Sequence, residues 1–175
     1  AEQGMIGLMT ADSGRAPKAV APFGGREARL GTNPISIAVP SDLDGPLYFD
    51  LSTAAAAAGK VKLAEARGEQ VPEGWVIDAE GRGTTDPGAL GRGGALLPLG
   101  GEVGFKGYAL ASMVEILSAL LTGLGFGVEP TGRHNDGCFI AVFKVEAFRD
   151  LATFRREVTE FAKYLTDTPP AEGFD

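Results

Sequence analysis

Leu97-Pro98-Leu99-Gly100-Gly101 leads into Phe105-Lys106-Gly107-Tyr108 and then into an almost wholly apolar run that ends at Gly123. Residues 107–122 predict a helix that is apolar on most sides, with Ser112, Glu115, Ser118 and Thr122 forming a polar stripe at helical spacing. Such a helix is expected at the centre of the molecule or in a subunit contact, and Gly123 supplies its left-handed stop. Lys106 stands where the glycine-rich turn becomes helix. A lone cation there can meet an anionic ligand together with backbone N–H groups, which points to a cofactor or phosphate site. The plain alternative is an exposed lysine at a helix start.

Outward from this helix, Met5 to Thr10, Ile35 to Val39 and Leu47 to Leu51 are β-prone runs separated by the turn-rich segments Ala21 to Gly25 and Leu30 to Pro34. After Leu51 the period changes. Ser52 or Thr53 can cap a helix whose first turns are Ala54 to Ala58, with further helical spacing from Val61 to Ala66. Residues 67–104 are glycine-rich and irregular, and so long a stretch in a compact domain predicts a functional surface. Cys138 to Lys144 reads as a strand, and Phe148, Leu151, Phe154, Val158, Phe161 and Leu165 mark an amphipathic surface helix. This order does not alternate as repeated βαβ units do. It predicts one α+β unit with a largely antiparallel or mixed β-sheet flanked by helices.

Composition excludes several classes. A net charge of -7 without a Lys/Arg cluster argues against nucleic acid as a partner, since phosphate neutralisation needs a basic face. The single cysteine rules out an intrachain disulfide or a cysteine-rich metal set and fits a cytoplasmic location. No metal site is expected, and the run from Tyr108 to Leu121 carries Glu115 and is too short to span a bilayer. Without an initiator methionine, and with an abrupt stop after Thr168-Pro169-Pro170, the 175 residues read as a fragment.

Familiar nucleotide motifs are missing. Gly91 and Gly93 are followed by Leu96, and Gly125 and Gly127 by Pro130, so neither pair opens a Gly-x-Gly-x-x-Gly loop. Asp50-Leu51-Ser52-Thr53-Ala54 offers instead an acid at a strand end, two hydroxyls and a helix start free of bulky side chains. Phosphate could meet N–H groups there while Asp50 accepts from a ribose hydroxyl; the alternative is an Ala-rich helix that is merely capped. Asp12-Ser13 follows a strand and can contact a substrate or hydrogen-bond its own turn. His134, the only histidine, reads as a solvated loop residue, and Cys138 as a buried, inert thiol. A hydrolase using both would lack an evident third member.

Gly4-Met5-Ile6-Gly7, Ala21-Pro22-Phe23-Gly24-Gly25, Leu30-Gly31-Thr32-Asn33-Pro34-Ile35, Asp50-Leu51-Ser52-Thr53 with Gly59-Lys60, Pro72-Glu73-Gly74-Trp75, Thr85-Asp86-Pro87, Leu97 to Gly101 and Lys106-Gly107-Tyr108 run the length of the chain. In that order they resemble the malate/L-lactate dehydrogenase-like oxidoreductases, a non-Rossmann family that includes sulfolactate, ureidoglycolate and diketogulonate enzymes and cyclic-imine reductases. The resemblance implies a dimeric NAD(P)-binding domain over residues 1–175, whose nicotinamide exchanges hydride with a small 2-oxo or 2-hydroxy acid, or an imine. It implies cofactor contacts at Asp50, Leu51, Ser52, Thr53 and Ala54 and at Phe105 and Lys106, and substrate contacts near Asp12 and Ser13.

Four departures qualify it. The family's catalytic histidine belongs to a segment that would precede Ala1, so no catalytic residue is assigned here. A Pro-Gly-Glu cofactor stretch would follow Asp175. Cys138 stands where members often carry histidine or glutamine, and the small residues Ala54 to Ala58 replace more polar versions of the loop, leaving NAD or NADP open. A non-catalytic ligand-binding or assembly domain that kept the fold is the alternative function.

Overall fold

The computed structural model describes residues 1–12, 14–132 and 135–174. They form an α+β fold divided into two compact units, one built from Ala1–Met9, Ser36–Asp50 and Ile140–Asp175, the other from Thr10–Ile35 and Leu51–Phe139. Strands β1 (Met5–Asp12), β2 (Ile35–Val39), β3 (Leu47–Leu51) and β7 (Gly137–Lys144) lie in one sheet in the order β3-β2-β1-β7. All four coincide with the β-prone runs of the sequence, β1 and β7 each starting or ending slightly beyond them.

In the first unit, helix α3 (Leu151–Thr166) has the expected amphipathic spacing. Asp150 caps it by accepting from the Thr153 N–H at 2.8 Å. The loop after β2 is clipped to this helix, because Asp42 donates its N–H to Thr159 Oγ1 and its carboxylate pairs with Arg155 at 2.7 Å.

In the second unit, Val20, Ala54, Ala56, Val61, Val71, Val76, Ala89 and Leu96 form the buried core. The segment that sequence reads as irregular contains a small antiparallel sheet of β4 (Val76–Ile77), β5 (Gly83–Thr84) and β6 (Ala95–Leu96), with Val76 facing both Thr84 and Leu96. Asp78 closes the β4–β5 turn. The Arg82 backbone N–H, foremost, and the Arg82 guanidinium hold its carboxyl below the ordinary aspartate value.

Helix α1 spans Ala58–Arg67, and this corrects the expected start at Ser52 or Thr53. Ala57 is extended, with φ −75° and ψ 135°, and Thr53 to Ala55 pair as a strand with Leu97 to Leu99: Ala55 N–H donates to Leu97 O at 2.8 Å and Leu99 N–H to Thr53 O at 2.9 Å. These tertiary hydrogen bonds override the helix propensity of alanine.

Helix α2 (Phe105–Glu115) continues directly into a π-helical stretch, Ile116–Leu120. The helix is buried on one side only. Glu115 and Ser118 are buried with Gly107, Ala111, Val114 and Ala119, while Leu110, Met113, Ile116 and Leu120 are exposed. Cys138 is also exposed, contrary to the buried thiol expected, because strand alternation turns its neighbour Gly137 inward.

Candidate functional site

The turn Thr32-Asn33-Pro34 is the hub of the second unit. Asn33 is the only non-glycine among the described residues with positive φ, at 40°, a conformation that asparagine tolerates better than most side chains. Ser52 Oγ donates to Thr32 O at 2.9 Å, Thr53 N–H donates to the same carbonyl at 3.0 Å, and Thr53 Oγ1 donates to Asn33 O at 2.9 Å. Ser52 Oγ also accepts from the Ala54 N–H at 3.0 Å. Both hydroxyls therefore shape the loop from within. The open helix end expected at Ala54 is not present; the uncapped start of α1 lies at Ala58, followed by Gly59 and Lys60.

Loop and helix α2 meet on a shared segment. Leu99, bonded through its N–H to Thr53 O, also underlies Gly107: a Cβ there would lie 2.3 Å from Leu99 O. The first turn of α2 thus rests on the same residues that pair with Thr53 to Ala55. Exposed Lys106 has Nζ 6.0 Å from the centre of the Phe105 ring, and Phe105 meets Phe23 edge to face at 6.0 Å and 75°. Thr53 and Ala54 thus pair with Leu97 to Leu99, and the turn of α2 that carries Phe105 and Lys106 rests on Leu99 through Gly107. Asp50, at the end of β3 in the other unit, is exposed.

Behind this surface lies a buried polar layer. Glu115 Oε1 pairs with Lys18 Nζ at 3.0 Å, both side chains less than a tenth exposed, and Glu115 Oε2 accepts from Asn33 Nδ2 at 2.9 Å. Thr10 Oγ1 and Ser118 Oγ share a hydrogen bond of 2.7 Å. Asp12, 5% exposed, accepts from the Gly137 N–H through Oδ1 at 3.1 Å, while its Oδ2 is buried without a partner. Its carboxylate sits behind the surface. Ser13 and His134 lie outside the described residues. Sequence reasoning did not bring Glu115, Lys18 and Asn33 together; the available signal was a single carboxylate in an otherwise apolar helix.

A family model for malate/L-lactate dehydrogenase matches residues 1–175. The chain is 46% identical over 129 residues to a Delta(1)-pyrroline-2-carboxylate/Delta(1)-piperideine-2-carboxylate reductase of Pseudomonas putida, covering 74% of this chain and 36% of that protein. It is 40% identical over 183 residues to malate dehydrogenase of Pyrococcus horikoshii, covering all of this chain and 50% of that one. Among solved structures, malate dehydrogenase from Entamoeba histolytica superposes with a TM-score of 0.89 at 33% identity, over 100% of this chain and 52% of the other. The chain thus spans a third to a half of the length of the curated relatives it matches. On a match over its full length, the eight motifs in order and the shared fold, the chain belongs to the malate/L-lactate dehydrogenase family.

Proposed function

We propose that this chain is the cofactor-binding part of an NAD(P)-dependent oxidoreductase that moves hydride between nicotinamide and a small 2-hydroxy or 2-oxo acid, or a cyclic imine carboxylate. The observation that carries this reading is the meeting of Thr53 to Ala55 and the start of α2 on Leu97 to Leu99. Relatives named for pyrroline-2-carboxylate, malate, sulfolactate and ureidoglycolate support a small carboxylate as substrate. One is named for NADP(+) and another for NAD(+), so either dinucleotide suits the family.

Lys106 offers an exposed cation at a helix start without a side-chain cap, which fits a phosphate, and Phe105 supplies an aromatic face beside it. Ser52 and Thr53 hold the loop so that the backbone of Leu51 and Ala54 can approach the dinucleotide, and Asp50 accepts from a ribose hydroxyl. Asp12 and Ser13 belong to the substrate side, Asp12 through the backbone it orders. When bound, the nicotinamide supplies or accepts the hydride. No described residue is assigned as proton donor. The 175-residue chain alone is accordingly expected to show no steady turnover, and sustained NADH consumption with a 2-oxo acid by this chain overturns that assignment. We place the enzyme in the cytoplasm as a homodimer.

The test is a titration of the protein, expressed from its complete reading frame, with NADH and NADPH, following energy transfer from Trp75. Its carbonyl accepts from Leu97 N–H at 2.9 Å, which puts the reporter next to the site. Saturable binding, weakened roughly tenfold by Lys106→Ala, is expected. Absence of binding to either dinucleotide overturns the reading. Binding without turnover of any 2-oxo acid or imine favours the non-catalytic module.

A further inference from the structure

We propose that Glu115 is a positioning residue for the nucleotide loop, acting through Asn33 to fix the turn whose carbonyls hold Ser52 and Thr53. The inference rests on the nucleotide reading above. Glu115 ends the α-helical part of α2, and the π-helical stretch begins at the next residue. Such insertions widen one turn and recur at functional sites. Here Glu115 faces inward although every exposed position around it is apolar.

The contacts are directional. Asn33 Nδ2 donates to two acceptors, Glu115 Oε2 and Ala111 O, each at 2.9 Å. Both partners are pure acceptors, so the amide orientation is fixed, and Asn33 Oδ1, buried without a partner, contributes no bond. The side chain is therefore held entirely through Nδ2. From the same residue the backbone carbonyl accepts Thr53 Oγ1, and the preceding carbonyl accepts Ser52 Oγ and Thr53 N–H. Lys18 completes the layer by neutralising Glu115 and donating to Gly14 O. A buried ion pair of this kind adds little net stability compared with apolar residues of the same size. What it supplies is orientation: a carboxylate aimed at one amide, which sets a left-handed turn, which sets the loop.

Two double variants separate positioning from folding. Lys18→Met with Glu115→Gln removes both charges but keeps an acceptor toward Asn33. Lys18→Met with Glu115→Leu removes that acceptor as well. In the full-length protein the Gln variant is expected to bind its preferred dinucleotide within about twofold of wild type, and the Leu variant roughly tenfold more weakly. Thr53 and Ala54 amides are expected to exchange faster only in the Leu variant. Asn33→Gly, which keeps the positive φ without the side chain, should reproduce the Leu result in a backbone that glycine adopts without strain. Val145→Ala, a buried position of the other unit, provides a destabilised control whose affinity should not change. Equal affinity of the Gln and Leu variants, or faster amide exchange with unchanged affinity, overturns the proposal. A wild-type protein that binds no dinucleotide overturns the nucleotide reading itself, and this proposal with it.

Discussion

Gly107 has no space for a single further carbon. An added Cβ would lie 2.3 Å from Leu99 O and 2.7 Å from Leu99 N, both backbone atoms that cannot rotate away. In an exposed helix Gly→Ala stabilises by up to about 1 kcal/mol, so the sign of the effect distinguishes helix propensity from close packing. Gly107→Ala is expected to destabilise by about 1–3 kcal/mol in urea unfolding and to weaken dinucleotide binding, since Leu99 also holds Thr53. A stabilised variant would mean that α2 does not rest on Leu99. Lys106 was legible in the sequence as a lone cation where a glycine-rich turn enters a helix, whereas the close approach of Gly107 to Leu99 was not. Asn33 was not. Its role depends on a left-handed φ and on an amide directed at a carboxylate 82 positions away, and neither leaves a local pattern.

At the level of elements, legibility followed the range of the forces involved. Strands β1, β2, β3 and β7 were readable as β-prone runs, most of them between turn signals, and helix α3 from its own periodicity. Ala54 and Ala55 were misread because they pair with Leu97 to Leu99, a long-range pairing that local propensity cannot report. Helix α3 also makes a pH prediction. The Thr153 N–H, foremost, holds the Asp150 carboxyl below its ordinary value of 3.8. A lowered folded-state value means that the ionised cap stabilises the fold above the ordinary carboxylate range, and that this contribution is lost as pH falls through the folded value. Asp150→Asn keeps an acceptor for Thr153 but cannot titrate. Thermal melts should therefore show wild type ahead of the variant near neutral pH, with the gap closing as the solution is acidified through the carboxylate range. A gap independent of pH would show that ionisation of Asp150 plays no part.

For the whole molecule, the way α2 is turned is the deciding fact. Periodicity located a polar stripe on an otherwise apolar helix but could not say where it points; Glu115 and Ser118 of that stripe face inward, Glu115 toward Lys18 and Asn33 and Ser118 toward Thr10, while Thr122 is exposed. The consequence is an outward stripe of Leu110, Met113, Ile116 and Leu120, each more than two fifths exposed, with Leu121 exposed beside it. A contiguous apolar patch of this kind is rarely left in water, and each leucine removed from solvent contributes about 1.5–3 kcal/mol. A second copy of the same surface, apposed about a two-fold axis, would cover it without requiring any other partner. Met113→Glu with Leu120→Glu in the full-length protein places two carboxylates on that stripe and leaves the buried Glu115 layer untouched. Sedimentation is then expected to show a dimer for wild type and a monomer for the variant. If the variant remains dimeric, the stripe is not the contact between subunits, and a different part of the protein must shield it from water.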